Sequence, residues 1–365
     1  MTSFIHFGCW NNLNTKMKDE KIKQLGCLNK VMKKLNSYVM ENEVSFISIA
    51  GDNYYPEKKK IDEKKKKIII PELLIRGFNL LPKSLPIYMI LGNHDLETNL
   101  KIDNPKLFIN SLENPEPEKS CSILTNETNI IKDIPNISYK FFYANMIGSN
   151  TLILMIDSDI YSVDAIKYLP CYSIFLEQEF RSIEEIQRFQ YELIFQSINQ
   201  YNATGYIKNL IIIGHQPITG IKFKDGVKQP ALNDIPYFKP VLLEIYKLLG
   251  EEIKYFYLCA DLHLYQKGII KIKEEEDKVM TIQQYIVGTG GTELDDEIPN
   301  IKFKVTGGNM DYEMEECKAE CGFLDCKLEE GLEPKFEFIS IEQKGGRKKT
   351  KKRKRNKKRK TRKYK

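Results

Sequence analysis

The chain has 365 residues, 42% of them hydrophobic, which is enough to bury a large core and excludes a disordered or peptide-like protein. The formal charge of +6 is uneven: residues 344–365 hold 16 Lys and Arg and no acidic residue, leaving 40 basic against 50 acidic side chains in residues 1–343. An acidic body does not suggest a general nucleic-acid-binding surface, which the tail alone offers, and no apolar run approaches the ~20 residues of a membrane span.

The N-terminus has no basic region, long apolar stretch or small-residue cleavage site, so no signal peptide is expected and the protein reads as intracellular. Short apolar runs then end, one after another, in glycine or a polar cluster. Phe4–Phe7 ends at Gly8, Val44–Ala50 at Gly51-Asp52, and Ile87–Leu91 at Gly92-Asn93-His94-Asp95. Leu152–Ile156 ends at Asp157, Leu210–Ile213 at Gly214-His215, and Tyr255–Cys259 at Ala260-Asp261. Runs this short, β-branched and apolar on both faces predict buried central strands. Helix-like segments lie between them around Lys18–Glu41, Ile183–Tyr201 and Tyr237–Leu249. The alternation predicts an α/β or α+β architecture with helices outside the sheets. Further strands are expected near Gly268–Ile272, Met280–Gly288 and Phe336–Ile341.

Two segments are low in complexity. Lys58–Lys67, with Asp62 and Glu63 inside it, reads as a solvated loop or helix start. Residues 344–365 repel themselves and have almost nothing apolar to bury, which predicts a disordered tail behind one domain over residues 1–343. With no export signal, the eight cysteines are expected to be reduced thiols. Cys317, Cys321 and Cys326 lack the CxxC knuckle of a structural zinc site and are read the same way.

The polar clusters at the strand ends hold most of the metal-capable residues. Three of the four histidines, His94, His215 and His263, follow directly on strand-like runs. Ligands of sheet proteins with outer helices bind beyond the carboxyl ends of the strands, where distant residues converge. Asp52, Asn93, His94, His215, Asp261 and His263 combine carboxylate, amide oxygen and imidazole, donors suited to Mn, Fe or Zn. Each motif alone also fits a turn, a helix cap or a packed histidine. Their order at successive strand ends is the specific feature.

That order resembles the calcineurin-like metallophosphoesterases, and within them the small purple, tartrate-resistant type of acid phosphatase, over roughly residues 3–292. The family pattern runs GDxG, GDxxY, GNH(D/E), VxxH, GHxH. Gly51-Asp52-Asn53-Tyr54-Tyr55 and Gly92-Asn93-His94-Asp95 match in full, Gly214-His215-Gln216-Pro217 fits the fourth block, and Cys259-Ala260-Asp261-Leu262-His263 stands at the last. Gly288-Thr289-Gly290-Gly291 is similar to the family's glycine-rich strand end. The resemblance implies a sandwich of two mixed β-sheets flanked by helices. It also implies two metal ions (Fe, Mn or Zn), with Asp52 bridging them, Tyr55 and His263 on the first, and Asn93 and His215 on the second. The activity it implies is hydrolysis of a phosphate monoester by in-line attack of a metal-bound hydroxide. His94 would donate to the phosphate or leaving group, and Asp95 would orient that imidazole.

Two positions depart from the pattern. Gly8-Cys9-Trp10-Asn11 has cysteine where the family has aspartate, and Ala260-Asp261 replaces Gly-His. Each lost residue is a family ligand, one on each metal. Cys9 thiolate can bind iron or zinc and Asp261 carboxylate can bind any of the three, so both are expected as variant ligands, with a packed thiol the alternative for Cys9. The family's further acid histidine is missing, with Lys224 or Asp225 nearest its place, and His6 reads as a packed histidine. The tail resembles the Gly-Gly-then-basic C-termini of giant DNA virus proteins, implying a viral source, a place in the host cytoplasm or virion, and a nucleic acid or other acidic partner for the tail. Two alternatives stand beside the phosphomonoesterase. One is a catalytically degenerate fold that binds through its tail; the other is a phosphodiesterase, which Gly8-Cys9-Trp10-Asn11 and Tyr55 disfavour.

Overall fold

The computed structural model describes residues 2–15, 22–24, 26–61, 64–97, 121–204, 206–223, 230–274, 278–296, 298, 303–307 and 310–341. Two mixed sheets face each other. One has six strands in the order Lys335–Ser340, Gly322–Leu328, Thr2–Phe7, Phe46–Ala50, Ile87–Ile90 and Ile137–Tyr139, the last four mutually parallel. The other has eight: Phe303–Gly307, Met310–Lys318, Tyr265–Lys273, Val279–Val287, Lys254–Cys259, Asn209–Ile213, Thr151–Ile156 and Phe142–Ile147. Its parallel centre runs from Thr151–Ile156 through Asn209–Ile213 and Lys254–Cys259 to Val279–Val287. The expected sandwich of two mixed sheets with outer helices is what forms.

The central strands Phe46–Ala50, Thr151–Ile156 and Asn209–Ile213 are buried at every position, because each sheet is covered on both faces. Alternation still sorts their side chains. Ile153, Met155, Ile211 and Ile213 join Ile47, Ile49 and Phe323 in the core between the sheets. Leu152, Leu154, Leu210 and Ile212 point the other way, onto Ile186, Ile194 and Ile198 of helix Ile183–Thr204 and Leu242 and Ile245 of helix Lys239–Leu249. The parallel strands of each sheet end on one edge, so the polar clusters gather there.

Three expectations are corrected. The helix expected over Lys18–Glu41 covers only Leu28–Glu41, while Leu13–Thr15 and Ile22–Gln24 pair as a short ribbon. Gly26 breaks the helix: it has φ +78°, and a Cβ there would meet the Thr292 carbonyl at 2.2 Å. The lysine-rich segment is neither loop nor helix start but an antiparallel ribbon, Glu57–Ile61 with Lys64–Ile68, joined to neither large sheet; its run of lysines carries no alternation from which a strand could be read. The thiols are not all reduced. Cys27 is bonded to Cys321 and Cys121 to Cys171, because folding brings residues 294 and 50 positions apart to Cα separations of 6.5 and 5.5 Å. Cys321 is thereby removed from the Cys317, Cys321, Cys326 group, which leaves no three-thiol zinc site there. Residues 344–365 and the expected boundary at 343 lie outside the described residues. No described helix is long and apolar enough to cross a membrane.

Candidate metal centre

Five turns build the site, and three of them carry an unusual backbone. Cys9, Asp52 and Asp261 have φ of 52°, 54° and 53°, and among the described residues only Glu177 shares this left-handed conformation without being glycine. Such a conformation costs an L-residue roughly 1–2 kcal/mol. Strain of this kind persists where the surrounding structure over-determines it. Here the turns are tied to one another: Cys9 N–H donates to Gly51 O at 3.2 Å, Trp10 N–H to Asp52 O at 3.4 Å, and Ala260 N–H to His215 O at 2.9 Å. Glycine is required at Gly92, where a Cβ would lie 2.6 Å from Asp52 Oδ1 and 2.9 Å from His215 Cε1.

Asp52 is buried at the centre, and its two oxygens face different neighbours. Oδ2 accepts from Tyr55 Oη at 2.8 Å and from Cys9 Sγ at 3.6 Å. Tyr55 Oη is in turn 3.2 Å from His263 Nε2. Ligand atoms of Cys9, Asp52 and His263 all lie within 4.8 Å of one another. Oδ1 accepts from His94 N–H at 3.0 Å and stands 3.3 Å from His215 Nε2. His215 Nε2 is also 3.0 Å from Asn93 Oδ1 and 3.8 Å from Asp261 Oδ1. The Nδ1–H of His215 donates to the Ala50 carbonyl at 2.6 Å, which turns Nε2 toward the cluster. All seven residues expected as ligands therefore meet around one carboxylate, that of Asp52: Cys9, Tyr55 and His263 on one side, Asn93, His215 and Asp261 on the other.

The electrostatics suit cations. Burial pushes the Cys9 thiol well above its usual range, and the Asp52 charge adds to it. The Tyr55 hydroxyl is raised for the same two reasons. Burial opposes charge on His215, but Asp52, Asp159 and Asp261 outweigh it and lift the imidazole to about 10. Asp52 is held low despite its burial, by His215 and His94. The protons on Cys9, Tyr55 and His215 are those that coordinated metal would displace. The donor set of thiol, phenol, imidazole, amide oxygen and carboxylate fits first-row transition metals.

His94 stands at the edge, and its carboxylate neighbour is a correction. Asp95 does not orient it: the Asp95 oxygens accept from Asn53 N–H at 2.7 Å, Asn53 Nδ2 at 2.8 Å and Gly92 N–H at 2.8 Å, bracing the turn from beneath. The group facing His94 Nδ1 is Glu97, at 3.3 Å. Burial alone would lower His94, yet Asp52 and Glu97 raise it to about 9. Glu127, fully buried, adds its carboxyl to the Asp95 brace and accepts from Tyr139 Oη at 3.0 Å. Sequence reasoning missed Glu97, Glu127 and Asp295, whose Oδ2 accepts from His263 N–H at 2.9 Å. The one signal in the sequence was Glu97 lying three residues after His94. His6 is packed as expected, between Ser48 Oγ at 3.0 Å and Cys259 O at 3.4 Å. Lys224 and Asp225 lie outside the described residues.

Comparison with known proteins agrees with the architecture. The family model described as calcineurin-like phosphoesterase matches residues 2–265. No curated protein matches the sequence. Among solved structures, GAP50, the anchor in the inner membrane complex of Plasmodium, is 13% identical, with 94% of this chain and 85% of that chain covered and a TM-score of 0.47. The purple acid phosphatase PPD1 of yellow lupin (Lupinus luteus) is 11% identical, with 93% of this chain and 51% of that chain covered and a TM-score of 0.50. At this identity the likeness to the lupin phosphatase is one of fold and nothing finer. The family match covers well over half of the chain, and the chain belongs to the calcineurin-like phosphoesterases.

Proposed function

From that membership we propose a two-metal phosphomonoesterase of the purple acid phosphatase type, with Cys9 and Asp261 as variant ligands. The observation that carries this is the division of Asp52, with Oδ2 beside Cys9 and Tyr55 and Oδ1 beside His215. A carboxylate so divided is suited to bridging two cations, which would activate water near neutral pH and offset charge on both oxygens of an in-line displacement. Cys9, Tyr55 and His263 would hold one, and Asn93, His215 and Asp261 the other. The retained left-handed backbone at Cys9 and Asp261 supports this assignment, since strained turns persist where they aim a functional side chain.

His94 is partly exposed at the mouth and carries its proton in this field, so it donates to the phosphate or to the departing oxygen. Glu97 steadies that imidazole at Nδ1. Asn53, Asp95 and Glu127 act through the backbone by fixing the turn that carries Asn93 and His94. The test is metal analysis of the purified protein with a p-nitrophenyl phosphate assay in Mn, Fe and Zn, alongside Asp52→Asn. Two equivalents of metal and a rate that falls by orders of magnitude in Asp52→Asn are expected. A metal-free protein that hydrolyses nothing in any of the three would replace this function with a degenerate binding fold.

A further inference from the structure

The lysine ribbon begins just after a residue of the metal centre and returns beside that residue's neighbour. Tyr55, which donates to Asp52, stands two residues before the ribbon begins at Glu57. On the return, Ile70 N–H donates to the Tyr54 hydroxyl at 3.2 Å. From Tyr55 to Lys60 is five residues, at most about 17 Å of extended chain. The antiparallel register sets Lys58 opposite Lys67, Lys59 opposite Lys66 and Lys60 opposite Lys65.

This arrangement is unfavourable by itself. Like charges directly opposite one another destabilise an antiparallel pair, and an isolated two-stranded hairpin is marginal at best in water. Residues 57–68 hold seven lysines against Glu57, Asp62 and Glu63, so three successive Lys–Lys pairs are stabilised by whatever polyanion neutralises them. The ligand's shape follows from the charge of the rest of the molecule. Residues 1–343 are net acidic, so a broad anionic surface such as a membrane would also meet the acidic body. A linear polyanion can lie along the ribbon and avoid it.

We propose that the ribbon holds the phosphodiester backbone of a single-stranded nucleic acid whose terminal phosphomonoester enters the metal centre. The choice of the terminal phosphate rests on the phosphoesterase function proposed above; binding of the strand by the ribbon does not. In the reaction a water oxygen bonds to phosphorus as the terminal P–O ester bond breaks. His94 supplies the proton to the departing oxygen, the strand leaves with a hydroxyl end, and inorganic phosphate is released.

The test compares the full chain with a variant carrying Lys58→Gln, Lys60→Gln, Lys65→Gln and Lys67→Gln, which neutralises two of the three facing pairs. Affinity for a 5′-phosphorylated single-stranded oligonucleotide is read by fluorescence anisotropy over a salt series. Vesicles of phosphatidylcholine with phosphatidylserine serve as the second probe. The variant should bind the oligonucleotide about tenfold or more weakly, with a salt slope shallower by about 0.7 for each phosphate the ribbon no longer neutralises. Its rate on p-nitrophenyl phosphate should be unchanged. Arginine at the same four positions should restore binding, which separates loss of charge from loss of folding. Unchanged oligonucleotide affinity, or a larger loss on the vesicles, would overturn the proposal. Anisotropy needs no turnover, so a protein that binds the strand through the ribbon but hydrolyses nothing would sink the phosphoesterase function and leave the strand-binding surface standing.

Discussion

At the scale of single residues, the informative one is Cys9. Asp and Asn tolerate the left-handed region better than most residues because a short polar side chain can bond locally; cysteine has no such compensation, yet it stands at φ 52° with its sulfur toward Asp52. Two consequences oppose each other. Cys9→Gly relieves the backbone and should stabilise the metal-free protein by about 1 kcal/mol, while removing a donor and lowering bound metal. Cys9→Asp should relieve strain and keep a donor, so its metal content and rate should match or exceed those of the native chain. Urea unfolding in chelator with metal analysis reads both effects. If Cys9→Gly keeps its full metal content, Cys9 is a packed thiol and the first site rests on Asp52, Tyr55 and His263 alone. The sequence could name Cys9 as a candidate only through its place in the motif order. Glu97 left only its spacing from His94 as a signal, and Glu127 left none, because its place beside Asp95 is fixed by how one turn lies on a helix distant in sequence.

At the scale of elements, apolar runs identified the central strands to within a residue or two, since a strand covered on both faces has no alternative composition. The ribbons and disulfides were not legible. A run of lysines carries no alternation to mark a strand, and the pairing of Cys27 with Cys321 depends on the helix Leu28–Glu41 starting beside strand Gly322–Leu328. His6 shows how an element records its setting. Its strand belongs to the six-stranded sheet, while one ring contact is Cys259 O in the eight-stranded sheet. Burial lowers its pKa from 6.5 to about 4, so the folded state holds it neutral. The unfolded chain binds the extra proton first. Stability from this group is therefore complete above about pH 6.5 and is lost as pH falls toward 4, by about 3 kcal/mol in all. Urea midpoints of the native chain and His6→Gln, compared between pH 7 and 4, should converge as pH falls. Parallel curves would mean that His6 does not contribute to acid unfolding.

At the scale of the molecule, the candidate centre is a junction between the sheets. Cys9, Asp52, Tyr55 and Asn93 follow strands of the six-stranded sheet, and His215, Asp261 and His263 follow strands of the eight-stranded one. Each proposed metal position draws on both. Without metal, the junction gathers Asp52, Asp261 and Asp159 around His215, whose imidazole they hold protonated, while burial pushes the Asp159 carboxyl well above its usual range. Cations bound there would link the two sheets and relieve that field at once, so their effect should reach the global unfolding transition. A ligand bound only to the folded state stabilises it by about 2.7 kcal/mol at a hundred times its dissociation constant. Calorimetry of the protein as purified should show a single transition that moves several degrees lower in chelator and returns when Mn, Fe or Zn is restored. The shift should shrink as pH falls, because Cys9, Tyr55 and His215 must lose protons to bind metal. A transition indifferent to chelator at every pH would mean that the two sheets meet through their apolar core and through hydrogen bonds such as those of His215 with Ala50 O and His6 with Cys259 O, with no metal between them.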